Sequence, residues 1–353
     1  MTAPGADPAV RRMAHTVLMP GFTGTDVPAW LERAIGEGLA AVCYFAPNLA
    51  ADPAGLSARL HALRPDLLTA SDEEGGRVTR LHAATGSPHP GHGDLGAEGD
   101  PRRTAAVAEA MGRDLRAAGI TAALAPVADL RLDTANPVVG GRSFGADPDQ
   151  VAAHTAAFVR GLHAAGVRGA VKHFPGHGAT RVDSHVALPV VDVALPVLRR
   201  RELAPFAAAV AAGADMVMAG HIVVPDLDTA PASVSPAAYR MLRADLGFTG
   251  AAVTDALDMR GLAAHTGAAD PARAVALGAA AALAAGADLL CLGNPGNAAA
   301  DGRTPPPGFD ERVFTAAREA VLAAVDSGAV PVARLAEAAG RVERLLAGPA
   351  SAP

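Results

Sequence analysis

Short apolar segments, many rich in β-branched residues, alternate along the chain with longer segments that carry apolar residues at helical spacing. Eight of the short segments have the length of β-strands, and they cover residues 15–20, 40–45, 66–71, 120–126, 169–173, 215–219, 250–254 and 288–292. Strands that alternate with helices pair in parallel, and eight such units close into a barrel. The pattern therefore predicts an α/β protein built as a single (β/α)8 barrel of the TIM type.

Helical periodicity and helix-start signals predict seven helices between the strands. These cover residues 27–37, 53–63, 103–118, 148–165, 198–212, 236–246 and 271–285. Two further helices, at 309–327 and 331–346, are expected to pack on the outside of the barrel after a loop at 294–307 that is rich in Gly, Pro and Asn. We expect one domain over residues 1–353, with flexible termini at 1–12 and 348–353.

Polar side chains directly follow six of the eight predicted strands. They are Asp72, Asp129, the pair Lys172 and His173, His221, Asp255 and Asn294. In a barrel of this kind the carboxyl ends of the strands meet at one rim, which carries the active site. The arrangement therefore predicts a functional site at that rim.

Composition narrows the function classes. The chain of 353 residues has a net charge of −6 and no Lys/Arg-rich segment, so we expect no nucleic-acid partner. No segment has the length and apolarity of a membrane span or a secretory signal, which predicts a cytoplasmic protein without a membrane partner. Cys43 and Cys291 lie in strand-like segments and are expected to be reduced core thiols. We also expect a monomer without metal or cofactor.

The segment from Lys172 to His185 carries the most chemistry. Lys172 and His173 end a strand, and a Gly- and Pro-containing loop then leads to Asp183 and His185. A carboxylate two residues before an imidazole can accept its N–H, fix its tautomer and raise its pKa, as an acid/base residue requires. The alternative is a hydrophilic surface loop whose histidines face water.

Asp255 directly follows a buried strand, where a carboxylate can be presented to substrate as a nucleophile. On spacing alone, a helix cap is an equal alternative for Asp255, and Asp258 fits the first turn of that helix. The acids of 72–80 are explained equally well by sugar binding or by a solvated ionic loop paired through Arg77 and Arg80. Taken by itself, the loop 136–148, which contains Arg142, is predicted to be an ordinary surface loop.

Five strings together resemble glycoside hydrolase family 3, specifically its β-N-acetylglucosaminidase branch. They are DEEGGRVTR at 72–80, NPVVGGRSFG at 136–145, KHFPGHGATRVDSH at 172–185, MAGHIVVPDLD at 218–228 and LGFTGAAVTDALDM at 246–259. The strings follow the family's order and span most of the chain, and the third is highly specific for the branch. The resemblance implies an exo-acting, retaining enzyme that releases terminal β-linked N-acetylglucosamine from muropeptides or chitooligosaccharides through a covalent glycosyl-enzyme.

The resemblance also implies roles for individual residues. Asp255 matches the nucleophile, His185 the acid/base and Asp183 the partner of that histidine. The positions that match sugar-binding residues are Asp72, Arg80, Arg142, Lys172 and His173, and His221 fits a rim position with a less defined role. Two departures are Ala256, where some members carry a second acid, and the segment 86–96, which has additional His and Gly.

Several alternatives remain open. The branch uses a histidine where other retaining glycosidases use a second carboxylate. A carboxylate would repel incoming phosphate and a neutral histidine would not, so a β-N-acetylglucosaminide phosphorylase is one alternative. A β-glucosidase on the same scaffold is another. A metal-dependent barrel hydrolase is a more distant alternative, with His173, His177, His185 and Asp255 as ligands. The end of the first strand, however, lacks the His-x-His of such barrels. A non-catalytic glycan binder is also distant, since Asp255, Asp183 and His185 are all present.

Overall fold

The computed structural model describes residues 3–133, 136, 138–180, 188–299 and 306–348, which form an α/β fold around a curled parallel sheet. Six strands pair in chain order: β2 (Ala41–Tyr44), β3 (Leu68–Ser71), β4 (Ala122–Ala123), β5 (Arg168–Phe174), β6 (Met216–Ala219) and β7 (Ala251–Thr254). A second parallel sheet pairs β1 (Leu18–Met19) with β8 (Leu290–Cys291). The predicted α/β class is confirmed, and the strands lie within or beside the predicted segments.

Backbone hydrogen bonds connect the two sheets at both edges. Cys43 N donates to Pro20 O at 2.9 Å, next to β1, and Thr254 N donates to Leu289 O at 3.0 Å, next to β8. Because every strand pair is parallel, all the carboxyl ends face the same way. Residues that follow different strands can therefore meet in one place.

Thirteen α-helices are present in the described part of the chain. They are α1 (Pro8–Thr16), α2 (Ala29–Gly36), α3 (Pro53–Leu63), α4 (His92–Glu98), α5 (Pro101–Ala117), α6 (Pro148–Ala164), α7 (Leu195–Arg200), α8 (Leu203–Ala211), α9 (Pro236–Ala244), α10 (Arg260–Thr266), α11 (Pro271–Ala285), α12 (Phe309–Asp326) and α13 (Val332–Ala347). None of them is by itself long and apolar enough to cross a membrane.

Several helices begin at a cap that the sequence makes explicit. The side chains of Asp52, Asp100, Asp147, Ser235 and Asp270 accept backbone N–H bonds at the starts of α3, α5, α6, α9 and α11, and a proline follows each of them. Such a cap contributes about 1 kcal/mol, and proline fits the first turn because no N–H is needed there.

Some predicted elements were wrong in detail. His15 and Thr16, predicted to start a strand, end helix α1, which begins at Pro8. Helices α4 and α10 were not predicted, and neither begins at a Ser, Thr, Asp or Asn N-cap residue, since their N-caps are Gly91 and Met259. The predicted helix 198–212 divides into α7 and α8 at Arg201 and Glu202.

The strands enclose a small inner core that is separate from the layer between strands and helices. Its members include Met19, Cys43, Leu124, Met218 and Cys291. Both cysteines are buried and carry free thiols, as expected. Val342 and Leu346 of α13 belong to the same core, so the last helix closes the end opposite the carboxyl ends of the strands.

An ion-pair cluster holds α13 in this position. Asp288, which is fully buried just before β8, lies 2.5 Å from Arg243, 2.6 Å from Arg334 and 3.1 Å from Arg341. It also accepts a bond of 3.0 Å from Ala252 N. A single carboxylate thus joins α9, α13 and the amino ends of β7 and β8.

Replacing Asp288 by alanine should destabilise the fold by about 3–5 kcal/mol, because three partly buried guanidinium groups lose their shared partner. Urea unfolding monitored by circular dichroism measures the loss. The control is Glu109→Ala, whose pair with Arg113 is exposed and should cost less than about 1 kcal/mol. Equal losses in the two variants would contradict the structural role of Asp288.

Candidate active site

An open cavity lies at the carboxyl ends of the strands, with about 750 Å³ of empty volume that includes open solvent. Six of the nine site residues predicted from the sequence line it: Asp72, Arg80, Arg142, Lys172, His173 and Asp255. Its apolar lining includes Phe45, Leu124, Met218, Met259 and the two cysteines. The cavity therefore has a charged side and an apolar side, as a sugar ring with polar edges and C–H faces requires.

Asp255 follows β7 and is not the cap of the next helix. Its backbone N donates to Ala219 O at 2.9 Å, and its Oδ1 accepts from Ala256 N at 2.8 Å. Burial alone would raise the pKa of Asp255, but His173, His221, the Ala256 N–H and Lys172 together hold this pKa below its usual value. The carboxylate is therefore ionised at neutral pH, as a nucleophile must be.

Asp258 differs from Asp255 although only three residues separate them. It precedes α10 instead of lying in its first turn, contrary to the prediction. Its Oδ2 accepts from Asn294 N at 3.2 Å and from Asn297 Nδ2 at 3.0 Å. Burial raises the pKa of Asp258 to about 7. Asp258 lines a separate, mainly apolar cavity, so it does not compete with Asp255 in the charged one.

Lys172 is the most buried cation of the site. Its Nζ lies 2.7 Å from Asp72 Oδ1 and 2.7 Å from Glu74 Oε1, with the side chain 3% exposed. Burial alone would lower the pKa of Lys172, but the two carboxylates raise it above its usual value. Lys172 therefore stays charged and acts as a hydrogen-bond donor, not as a base.

Arg142 points inward and pairs with Glu74 through two bonds. Nε lies 2.8 Å from Oε2 and Nη2 lies 2.7 Å from Oε1. Glu74 is buried, which alone would raise its pKa, but Arg142 and Lys172 hold the pKa well below the usual range. Bidentate pairing fixes the plane of the guanidinium, so the loop after β4 is not an ordinary surface loop.

The acidic segment after β3 is a buried scaffold rather than a solvated ionic loop. Glu73 accepts from the backbone N of both Arg80 and Leu81 at 2.6 Å, which fixes the turn of this loop. Arg80 Nη2 in turn lies 3.2 Å from Asp72 Oδ2. Asp72 thus lies between Arg80 and Lys172, and its pKa is lowered because these charges outweigh the effect of burial.

Asp129, which follows β4, orients His173. Its Oδ2 lies 2.6 Å from His173 Nδ1, and Asp129 is completely buried. Burial alone would raise the pKa of Asp129, but His173 and His177 lower it. The carboxylate accepts the Nδ1 proton of His173, which leaves Nε2 as the second functional nitrogen of this ring. Lys172 and His173 both line the cavity although they are adjacent, and β5 changes register against β6 between Val171 and Phe174.

His221 is fully buried behind the cavity and is not part of its lining. Its Nε2 lies 2.9 Å from Ala256 O and its Nδ1 lies 2.7 Å from Ser233 Oγ. A carbonyl oxygen only accepts, so Nε2 carries the proton and donates. These contacts support a role for His221 in positioning the backbone next to Asp255, and its predicted role at the rim stays a prediction.

Asp183 and His185, the predicted acid/base pair, lie outside the described residues. Thr180, the last described residue before them, is buried beside His177. Within residues 3–133, 136, 138–180, 188–299 and 306–348, no group of three or more His, Cys, Asp or Glu side chains is arranged to hold a metal ion.

Three residues of the site are not among the nine predicted catalytic and sugar-binding residues: Glu74, Asp129 and His177. Each contacts a predicted residue that is distant in the chain or lies in the cavity lining itself. Asp129 had been noticed as a rim residue, and Glu74 as part of an acidic run, but their partners could not be read from local spacing.

A charged cavity at the strand ends of a parallel α/β fold is a common location for the active site of an enzyme that acts on a small polar substrate. A model of the "Glycosyl hydrolase family 3 N terminal domain" matches residues 55–345. The chain belongs to this family and is a glycoside hydrolase, which confirms the assignment made from the five motifs.

Named relatives are consistent with the same branch. A protein of Stenotrophomonas maltophilia named "Beta-hexosaminidase" is 39% identical over 294 residues, covering 79% of this chain and 84% of that protein. A family 3 β-N-acetylglucosaminidase from Paenibacillus superposes with a TM-score of 0.85 at 36% identity, covering 97% of this chain but only 64% of that one. A β-N-acetylhexosaminidase from Beutenbergia cavernae gives a TM-score of 0.80 at 30% identity, covering 97% and 100%.

Glu74→Gln should lower kcat/KM for glycoside hydrolysis about 100-fold, because Arg142 and Lys172 lose the carboxylate that places them, and displacements near 1 Å can cost this much. Steady-state kinetics on an aryl glycoside measures the effect, and thermal unfolding monitors folding. The control is Glu98→Gln, since the Glu98 side chain is 48% exposed beside Arg103. Unchanged kinetics in folded Glu74→Gln would refute the positioning role.

Proposed function

We propose that this glycoside hydrolase is a retaining, exo-acting β-N-acetylglucosaminidase, with Asp255 as its nucleophile. The observation that carries the proposal is the ionised Asp255 carboxylate in a cavity whose other polar groups include five candidate sugar-binding residues. The names of the relatives support N-acetylhexosaminides as the substrate class. Muropeptides and chitooligosaccharides both present a terminal β-linked N-acetylglucosamine of the kind required.

In the proposed reaction, an Asp255 oxygen attacks the anomeric carbon while the glycosidic bond breaks. His185 gives a proton to the departing oxygen, and the same imidazole then takes a proton from the water that releases the sugar from Asp255. Arg80, Arg142 and Lys172 donate hydrogen bonds to the sugar, and Asp72 can accept hydrogen bonds from its hydroxyl groups. The carboxylate of Asp183 accepts a hydrogen bond from the ring N–H of His185 and so orients the ring.

Chain geometry supports His185 as the acid/base. It follows Thr180 by five residues, which span at most about 18 Å when extended. Thr180 contacts His177, which lines the cavity with Asp255. The segment that carries Asp183 and His185 therefore starts beside the cavity and is long enough to reach the substrate.

We further propose that the eight strands close into a complete (β/α)8 barrel. The support is the parallel pairing of β1 with β8 and the backbone bonds at both edges of the larger sheet.

Cytoplasmic location is a further proposal, supported by the two free buried thiols, since disulfides are rare in reducing compartments.

Asp255→Asn should lower kcat/KM on p-nitrophenyl N-acetyl-β-glucosaminide by about 10³-fold or more, since the covalent route loses its nucleophile. The matched control is Asp258→Asn, the same change three residues away, which should retain most activity. A fluorinated N-acetylglucosaminide should label Asp255 in the wild type, as detected by mass spectrometry of peptides. Labelling of another residue, or wild-type preference for the glucoside, would refute the proposal.

His185→Ala should slow hydrolysis of chitobiose about 10²–10⁴-fold, the usual contribution of an acid/base. The p-nitrophenyl glycoside should be slowed much less in its first step, because nitrophenolate leaves without a proton. Comparing the two substrates within one variant controls for folding. Equal slowing of both would count against the acid role.

Repeating the wild-type assay with phosphate and analysing the products tests phosphorolysis, which would yield a sugar 1-phosphate.

A further inference from the structure

His177 is a buried group of the cavity to which the proposed mechanism assigns no role. It lies in the loop after β5 and is 1% exposed, and it belongs to the cavity lining. Its backbone N donates to Asp129 Oδ1 at 2.7 Å, and Asn136 Nδ2 donates to its carbonyl oxygen at 2.9 Å. Both backbone polar groups of His177 are therefore fixed, and the ring is held at a defined place.

The contacts of Thr180 decide which ring nitrogen carries the proton. Thr180 Oγ1 lies 3.0 Å from His177 O and 2.7 Å from His177 Nδ1. A hydroxyl has one proton, and two oxygens at 3.0 Å without a proton between them would repel each other. The hydroxyl therefore donates to His177 O and accepts the Nδ1 proton. Nε2 is left with its lone pair and is an acceptor.

No group in the described part of the chain donates to this acceptor. His177 Nε2 is buried and has no hydrogen-bond partner. Burial lowers the pKa of His177, so the ring is neutral at neutral pH and does not satisfy Nε2 by protonation. Buried polar groups are nearly always paired, and an unpaired one calls for an explanation. Since the ring lines the cavity, a molecule bound there can supply the missing donor.

We propose that His177 Nε2 accepts a hydrogen bond from the sugar bound in the cavity, through an O–H or the amide N–H of that sugar. His177 is then a substrate-binding residue that works beside the cationic donors Lys172, Arg80 and Arg142. Those side chains donate and cannot accept, whereas a sugar hydroxyl or amide N–H also needs an acceptor. The inference rests on the proposed function only in taking the ligand to be an N-acetylhexosamine.

Two substitutions of His177 test the roles of its two ring nitrogens separately. In His177→Asn the side-chain amide lies near the position of Nδ1 and can still donate to Thr180, but nothing occupies the position of Nε2. In His177→Gln the amide reaches the position of Nε2 and can present its oxygen as an acceptor. We expect His177→Asn to weaken binding and kcat/KM about 10- to 100-fold and His177→Gln to recover much of the loss.

A series of sugars identifies the donor. Dissociation constants of N-acetylglucosamine, glucose and the 3-, 4- and 6-deoxy forms of N-acetylglucosamine are measured by calorimetry for the wild type and both variants, alongside hydrolysis of the aryl glycosides. The effect of His177→Asn should disappear for the one sugar that lacks the donor: glucose if the donor is the amide, or one deoxy form if it is a hydroxyl. Equal losses for every sugar, or no loss for any, would overturn the proposal.

Binding and turnover separate this inference from the proposed function. If the wild type binds N-acetylglucosamine but does not hydrolyse its aryl glycoside, the proposed function fails while His177 is still tested by binding. If the wild type binds none of the sugars, both fail. A measurement on the wild type does not depend on whether the variants fold: the ¹⁵N resonance of unprotonated His177 Nε2 should shift when N-acetylglucosamine binds. An unchanged resonance at saturation would overturn the proposal.

Discussion

The pairing of Lys172 with two carboxylates is the interaction on which the site depends. Its ammonium group is almost completely buried, and it lies 2.7 Å from both Asp72 and Glu74. A buried charge is tolerated only where opposite charges and hydrogen bonds replace water. Because Lys172 belongs to β5 and the two acids follow β3, these contacts pass over the end of the intervening β4 and fix one side of the cavity.

Different neighbours give Asp255 and Asp258 different pKa values, although both carboxyl groups are buried. The three cations Arg80, Arg142 and Lys172 face only two carboxylates in the ion-paired cluster, Asp72 and Glu74. Of these cations, Lys172 helps to lower the pKa of Asp255, after the larger effects of His173, His221 and the Ala256 N–H. Asp258 lies beside uncharged amides and has a pKa of about 7. Two aspartates three residues apart thus differ in protonation because of their partners, not because of sequence position.

The features predicted correctly from the sequence are those with local causes. Strand-sized apolar segments, Asp-Pro and Ser-Pro helix starts, and polar residues directly after strands each depend on a few neighbouring residues. The start of the first strand was wrong because an apolar segment near a chain end fits the helix α1 equally well. Helices α4 and α10 were missed because both are short and neither begins at a Ser, Thr, Asp or Asn N-cap residue.

The supporting contacts of the site could not be predicted in the same way. Glu74 and Arg142 are 68 residues apart, and Asp129 and His173 are 44 apart. Local spacing carries no information about such pairs, and an acidic run such as 72–74 looks solvated until its distant partners are known. The family resemblance supplied the residues that match sugar-binding positions, but it did not supply the carboxylates that hold those residues in place.

The same electrostatics gives a reason for a histidine in the acid/base role. A second carboxylate near the anomeric carbon would raise the pKa of Asp255, because like charges disfavour ionisation. A neutral imidazole adds no such charge. It can be supplied from the segment between Thr180 and Pro189, since Thr180 contacts His177 and Pro189 O accepts from Val223 N at 2.9 Å. In the proposed mechanism, the rim of the cavity supplies the binding residues and the nucleophile, and the segment that follows Thr180 carries the acid/base histidine.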